Sequence, residues 1–462
     1  MSNLEGTKFD ALNGVPQRKQ PRWRRTPTTS RLIVALAVLA LLFFRIGPSV
    51  KFPRVRHRAL AFRKHPNLSC VRPAHFVMQS DHRMHHYGGE LYPQAARTSF
   101  KFLPSPRTLS IDAIGTHGSV RFMLDDRDYG QPEDAASKRY ISVDVTAFSD
   151  DWLGFEQTAM LCQTVPRVTG AGEISEGVMI SADTDRAAAN RTVFDITVRF
   201  PASDSLSLPP FSPKISATMF GFEILIDDMD NHVLFDSVFL RSMKKSIHIN
   251  ALRANSVQVQ NWNGNISGSI TSKGQIDLYA HNGAVTINAD LVADEASVTS
   301  THSPGATAPT LLVTTVYGPI DATVNLLTAR SLDLFREPSD GSLPTYKTIL
   351  HTINAPLTVT YPTAPEHHNL TLFASNSHAL TIARLPDSFV GHLALRSQNT
   401  QRPLVVHLDE KADRHRRRLQ ITSVDKHGLT ATVQRGSLDS DRQLGAGIVD
   451  VQAIGGDLSV ML

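Results

Sequence analysis

Short runs of alternating apolar and polar residues recur between residues 246 and 291, and this pattern predicts strands with one buried face. Ile247, Ile266 and Val285 follow one another at intervals of 19 residues, and an Asn-Gly pair recurs at the same interval. Asn-Gly tolerates the positive φ of a tight turn, so each repeat is predicted to contain strand, turn, strand and Asn-Gly turn. A unit this short cannot bury its own apolar face, which predicts stacked β-coils, either a solenoid or a repetitive meander.

The interval makes two positional predictions. Ile247, Ile266 and Val285 should stack in one buried row, and Gly264 and Gly283 should occupy equivalent turns. Because coil packing and turns account for these residues, we do not expect a hidden active site within the repeat.

The chain is predicted to be mainly β, with a β-rich, sandwich-like domain over residues 98–243 and a β-solenoid of about 19-residue repeats over residues 244–462. The middle domain alternates like strands but lacks the repeat. Its predicted strands are Leu109–Ile114, Ser119–Leu124, Tyr140–Thr146, Gly177–Ser181, Thr192–Phe200, Ile215–Met219, Phe222–Ile226 and Val233–Leu240.

The first 97 residues are predicted to form three segments. Residues 1–31 form a basic disordered tail, because they carry many arginines and almost no apolar periodicity. Leu32 to Phe44 is uninterrupted hydrocarbon, and continued to Val50 it is long enough for a transmembrane signal anchor. A cleaved signal peptide and a soluble core helix are the alternatives. Residues 51–97 form a histidine-rich juxtamembrane stalk.

The orientation of the chain in the membrane is predicted from its two ends. A short N-terminal tail and a large C-terminal body favour a cytoplasmic N-terminus and a lumenal or extracellular body. Four glycosylation sequons, at Asn67, Asn190, Asn265 and Asn369, all lie beyond the apolar run. The expected protein is therefore a single-pass membrane glycoprotein that contacts the lipid bilayer through residues 32–50.

The composition and charge of the chain limit the classes of partner that it is expected to bind. The 462 residues carry a net charge of +4, but much of the basic excess lies near the N-terminus, so nucleic-acid binding is not expected. Cys70 and Cys162 are the two cysteines. They form a candidate disulfide, and the alternative is two unrelated buried thiols.

The sequence offers little support for catalytic or metal-binding residues. His82, His85 and His86 suggest a metal site, but a polar stalk explains them better. Acidic turns at 125–130 and 227–231 suggest calcium, but short acidic turns are common at strand ends. No serine-hydrolase, zinc-protease, phosphate-loop or nucleotide-binding motif is present in the sequence. We therefore predict no catalytic, cofactor-binding or metal-binding residues, and no cofactor.

The segments NGNISGSI, KGQIDLYA and NGAVTINADL resemble the adhesin-type family of Gly-x-[Ile/Val] β-repeat domains. They are especially similar to fungal single-pass membrane-anchored proteins of unknown function. The resemblance is clearest over about residues 246–335. It implies a β-solenoid with a cell-surface or cell-wall role, and it brings no catalytic residues.

Three functions follow from these observations. The first is a non-catalytic, membrane-anchored surface protein that binds a wall polysaccharide or another surface protein. The second is a secretory-pathway carbohydrate-active enzyme on a β-helix scaffold, although the repeat contains only Asp277 and Asp290 as carboxylates. The third is a scaffold that oligomerises through exposed strands, with Leu458–Leu462 as an uncapped edge.

Overall fold

The structure is a computed structural model that describes most of the chain from residue 70 onward. The described residues are 70–73, 76–78, 85–103, 107–125, 140–152, 155, 159–168, 174–182, 192–201, 212–293, 308–329, 343–398, 404–407, 417–435 and 447–462. The predicted tail (1–31) and anchor (32–50) lie outside them. Within the described part, no helix has the length and apolar character needed to cross a membrane.

The described residues are mainly β and form 29 strands. The strands are β1 (Cys70–Pro73), β2 (Val77–Met78), β3 (His85–Tyr87), β4 (Glu90–Tyr92), β5 (Gln94–Phe102), β6 (Thr108–Ile114), β7 (Gly118–Asp125), β8 (Ile141–Ser149), β9 (Ala159–Val168), β10 (Ile174–Ala182), β11 (Val193–Pro201), β12 (Lys214–Met219), β13 (Phe222–Asp228), β14 (Leu234–Ser242), β15 (Ile247–Asn261), β16 (Ile266–Ala280), β17 (Val285–Ala293), β18 (Thr310–Thr315), β19 (Ile320–Thr328), β20 (Thr345–Thr352), β21 (Leu357–Thr360), β22 (Asn369–Asn376), β23 (Thr381–Arg384), β24 (Gly391–Ser397), β25 (Leu404–His407), β26 (Arg417–Asp425), β27 (Gly428–Arg435), β28 (Gly447–Ala453) and β29 (Leu458–Met461).

These strands stack into two long ladders, which we call the first and second ladders. The first ladder runs β2-β5-β8-β11-β7-β13-β15-β16-β17-β19-β21-β23-β29-β25. The second runs β1-β9-β10-β6-β12-β14-β15-β16-β18-β20-β22-β28-β24-β27-β26. Both are parallel except near their ends, and the long strands β15 and β16 belong to both.

The predicted buried row is confirmed. Ile247 is the register partner of Ile266, which in turn pairs with Val285, and all three side chains are fully buried. The row continues beyond the sequence repeat to Ile320 and Leu357. One buried apolar cluster contains residues from both ladders, so alternate side chains of each ladder form a shared core.

The two predicted β regions share their sheets. β13 and β14 belong to the predicted middle domain, yet both pair in parallel with β15 of the predicted repeat domain. Each of the eight strands predicted over residues 98–243 overlaps an observed strand. The pairing across residues 243 and 244 arises because β13 and β14 present the same alternation of buried and half-buried residues as the repeats.

Two other predictions, one for the stalk and one for the last strand, differ from the structure. Residues 85–97, assigned to the stalk, form strands, and Tyr92 and Ala95 are buried against the body. The prediction that Leu458–Leu462 forms an uncapped edge is wrong, because β29 pairs with β23 on one side and β25 on the other. The returning strand β25 supplies the backbone partners that the short repeat pattern did not reveal.

Candidate ligand-binding edge

Turns of the same shape follow one another along one side of the body, and we call this column the turn edge. Each turn joins a strand of the second ladder to a strand of the first. The turns are residues 243–246, 262–265, 281–284, 316–319, 353–356, 377–380 and 454–457. Backbone hydrogen bonds tie successive turns together; for example, the Asn282 N–H donates to Trp262 O (2.9 Å) and the Tyr317 N–H to His281 O (3.0 Å).

Glycine is the third residue of four of these seven turns, and the backbone of the preceding turn lies too close there for a side chain; the other three turns have Lys245, Ala355 or Ala379 at this position. A Cβ atom at Gly283 would lie 1.9 Å from Gly264 O, and one at Gly318 would lie 1.8 Å from Gly283 O. Gly264 and Gly283 therefore occupy equivalent turns, as predicted. The predicted reason was wrong, because neither residue is among the positive-φ glycines of the described part. The repeated Asn-Gly pair reflects the tight stacking of successive turns.

Buried polar side chains at the strand ends hold these turns. Asn261 is 1% exposed; its Nδ2 donates to Lys245 O (2.8 Å), and its Oδ1 accepts the Gly264 N–H (2.9 Å). Asn376 repeats the arrangement, donating to Ala355 O and accepting from its own turn. Since a buried amide satisfies backbone groups of two successive turns, the edge is held in a fixed geometry.

Three ring side chains project from this edge on consecutive turns, and we call them the aromatic stack: Trp262, His281 and Tyr317. The Trp262 and His281 rings are parallel, with centroids 4.3 Å apart and an interplanar angle of 4°. Tyr317 meets His281 edge-on, at 5.5 Å and 70°. Trp262 is 39% exposed and Tyr317 55%. The Tyr317 ring is thus turned away from the plane of the stacked pair and remains open to a ligand.

A short amide network flanks the stack. Asn282 Nδ2 donates to Asn263 Oδ1 (2.6 Å), and His281 Nδ1 lies 2.9 Å from Asn282 Oδ1. Because an amide oxygen only accepts, His281 Nδ1 is the donor in this contact. The indole N–H of Trp262 and the amides of Asn263 and Asn282 therefore place donors and acceptors beside apolar ring surface. Such a combination suits a neutral, hydroxyl-rich ligand.

The predicted glycosylation sites fall in different places. Asn67 and Asn190 lie outside the described residues. Asn265 is exposed in the same turn as Trp262, and its Oδ1 accepts the Ala284 N–H (3.0 Å). Asn369 begins β22 and is half-buried.

The two cysteines lie on paired strands. β1 runs antiparallel to β9, with Cys70 opposite Thr164 and Pro73 opposite Cys162. Cys162 is fully buried and is a half-cystine. The Cys70 side chain lies outside the described set, so its bond to Cys162 stays a prediction.

Carboxylates of the repeat are not brought together. Asp277 lies in the part of β16 that belongs to the second ladder, and burial raises its pKa above the ordinary value. Asp290 lies in β17 of the first ladder, where it accepts hydrogen bonds from Thr271 Oγ1 (3.4 Å) and Asn325 Nδ2 (2.7 Å). In the part of the chain that is described, no group of three or more His, Cys, Asp or Glu side chains is placed to hold a metal ion.

The aromatic stack was not predicted from the sequence. Trp262 and His281 are 19 residues apart, and that spacing within the repeat is the signal that identifies them. Tyr317 has no such signal, because the chain between β17 and β18 is longer than in the preceding coil.

Comparisons with known proteins do not identify a family for this chain. No family model matches the chain, and no curated protein matches it. A solved structure of a proposed cell adhesion protein from Clostridium sporogenes ATCC 15579 is 6% identical, with 79% of this chain and 99% of that chain covered and a TM-score of 0.16. A TM-score this low gives the likeness no bearing on fold or function.

Proposed function

We propose that this chain is a non-catalytic binding protein whose β-solenoid body binds an extended polysaccharide along the turn edge. The parallel 19-residue register from β15 to β17 supports the solenoid assignment, as does its continuation through the later coils. On this proposal the body belongs to the adhesin-type β-repeat class that its sequence resembles.

The aromatic stack is the observation that carries the polysaccharide proposal. Its rings repeat from coil to coil, and strands in a sheet are about 4.8 Å apart. A polymer of sugar units lying along the edge would therefore meet ring surface and amide groups repeatedly. Many such contacts give useful avidity even when each is weak.

The experiment is depletion of the full-length chain, purified in mild detergent, by insoluble cellulose, chitin, β-1,3-glucan and pectin. Trp262→Ala and Tyr317→Ala should each weaken retention on the bound polymer about tenfold, through loss of ring contact. Phe373→Ala is the matched control, since Phe373 is 40% exposed on β22, away from the turn edge. Failure of all four polymers to retain the wild-type chain, or equal retention of the three variants, would contradict the proposal.

We further propose that residues 32–50 anchor the protein in a membrane, with the N-terminus in the cytoplasm and the body in the secretory-pathway lumen or outside the cell. The uninterrupted apolar run from Leu32 to Phe44 and the four downstream sequons support this orientation. Glycosidase treatment should increase the electrophoretic mobility of the expressed protein, and the body should resist protease added from the cytosolic side. An unglycosylated body that cytosolic protease digests would rule the orientation out.

A further inference from the structure

A groove lies at the C-terminal end of the turn edge. β24, β28 and the β26–β27 hairpin surround an open volume of about 400 Å³. Ile454, which lines the groove, is the first residue of its turn, the position that Trp262 occupies in an earlier turn. The edge continues across the groove, because the Ile454 N–H donates to Asn376 O and the Gln398 N–H to Ala453 O.

The walls of the groove combine apolar and polar groups. Ile454 is 46% exposed and provides, with Leu429, an apolar surface. Gln398, Gln452 and Ser423 add amide and hydroxyl groups around it. This size and mixture of groups suit a small ligand with both C–H and hydroxyl surface.

Arg396 is the cation of the groove lining within the described residues. Its side chain is 64% exposed and forms an ion pair with Asp450, in which Arg396 Nη2 lies 3.8 Å from Asp450 Oδ2, beyond hydrogen-bond distance. Both Asp450 oxygens lie 3.3 Å from Gln452 Nε2 and accept from it. Asp425 Oδ1 accepts the His427 N–H (2.7 Å) in the hairpin turn. Asp425 lines the groove and accepts from the hairpin backbone, whereas Asp450 is held by Gln452 and by the Arg396 ion pair, which a ligand carboxylate would replace on the outer side of the guanidinium.

We propose that this groove binds an acidic sugar unit, with the carboxylate of a uronate on the Arg396 guanidinium. A planar guanidinium binds a carboxylate through two parallel hydrogen bonds, which an uncharged sugar cannot accept in the same way. The sugar ring packs on Ile454, and its hydroxyl groups bond to Gln398 and Gln452. The inference rests on the proposed function, because it names the unit of the polymer that the end of the edge selects.

The test compares trigalacturonate with galactotriose of the same linkage, by calorimetric titration into the full-length chain. Wild type should bind the acidic trimer at least about tenfold more tightly. Arg396→Gln should abolish that preference, whereas Arg384→Gln, which changes an exposed arginine on β23, should keep it. Equal affinity of wild type for the two trimers, or a preference that survives Arg396→Gln, overturns the proposal.

Two further variants separate this groove from the aromatic stack. Ser423→Trp should fill the groove from β26 and prevent binding of the acidic trimer, which would support the site even if Arg396→Gln fails to fold. Trp262→Ala should leave trimer binding unchanged while it weakens retention on long polymers. If Trp262→Ala abolishes trimer binding and Ser423→Trp does not, the trimer binds elsewhere and the groove proposal is wrong.

Discussion

Gly283 lies directly against Gly264 in the column of turns, and a Cβ atom on Gly283 would sit 1.9 Å from the Gly264 carbonyl oxygen. That contact is with backbone, which cannot rotate away as a side-chain tip can. The close approach of these two turns therefore depends on the absence of a side chain at Gly283.

Gly283→Ala should destabilise the body by about 1–3 kcal/mol, since the added methyl group pushes neighbouring coils apart. Urea denaturation followed by circular dichroism measures the free energy of unfolding. A matched pair within one turn provides the control: a Cβ at Gly456 would lie 1.8 Å from Ala379 O, whereas one at Gly455 has its nearest atom at 3.3 Å. Gly456→Ala should behave like Gly283→Ala, and Gly455→Ala should stay within about 0.5 kcal/mol of wild type. Equal effects of the two would argue against the steric explanation.

Asn261→Ala should cost about 1–3 kcal/mol, because it leaves the Lys245 carbonyl and the Gly264 N–H without their buried partner. Asn261→Asp keeps the acceptor for the Gly264 N–H but places a buried carboxylate oxygen against the Lys245 and Asn265 carbonyl oxygens, so a loss at least as large is expected. Thermal unfolding of both variants should be compared with that of Asn263→Ala, which changes an exposed amide of the same turn. If Asn263→Ala is as damaging as Asn261→Ala, the buried amide is not what holds the turn.

The stability of the body should fall as the pH drops below about 6.5. His368 is 4% exposed and lies 2.8 Å from Pro365 O through Nδ1. Burial lowers its pKa below the ordinary histidine value, although the Pro365 hydrogen bond opposes the change. The unfolded chain then binds a proton at a higher pH than the folded chain does. The stabilisation is therefore complete above pH 6.5 and is lost as the pH falls towards the folded pKa.

Urea denaturation from about pH 8 to about pH 5 tests this behaviour. The free energy of unfolding should change by at most about 1.4 kcal/mol per pH unit for one proton. Burial also lowers the pKa of His351, which should add to the slope. His368→Gln should reduce the slope. A wild-type stability that is flat across this range would contradict the prediction.

Mass spectrometry of the non-reduced protein should find a peptide that joins Cys70 to Cys162. The bond would close a loop of about ninety residues, and its loss should cost about 2–5 kcal/mol. Cys70→Ser should thus lower the melting temperature, and the reductant dithiothreitol should lower that of wild type but not of the variant. Recovery of both cysteines as free thiols in the non-reduced protein would disprove the bond.

Regular features of this fold were predictable because they depend on local alternation and on spacing. Ile247, Ile266 and Val285 met both conditions, and their buried row was predicted correctly. The sequence gives no direct measure of distances between coils. For that reason the contact that requires Gly283 was misread as a φ requirement, and the return of β25 beside β29 was not anticipated.

The candidate site was harder to predict than the fold. Trp262 and His281 share the repeat interval, but Tyr317 enters the stack only because β18, which follows β17 after a longer stretch of sequence, pairs with β16. Side chains that are brought together by the pairing of distant strands cannot be recognised from a short stretch of sequence.

Apart from two register shifts between β15 and β16, the 19-residue register from β15 to β17 makes each repeat a unit of length. Removing residues 266–284, which number 19, would join Asn265 to Val285 and bring Ile247 beside Val285 with every remaining side chain still on its own face. The body would shorten by about 4.8 Å, and the turn edge would lose one of the three side-chain rings of the aromatic stack. A protein built in this way can change its reach, and the number of contacts it offers, one whole step at a time.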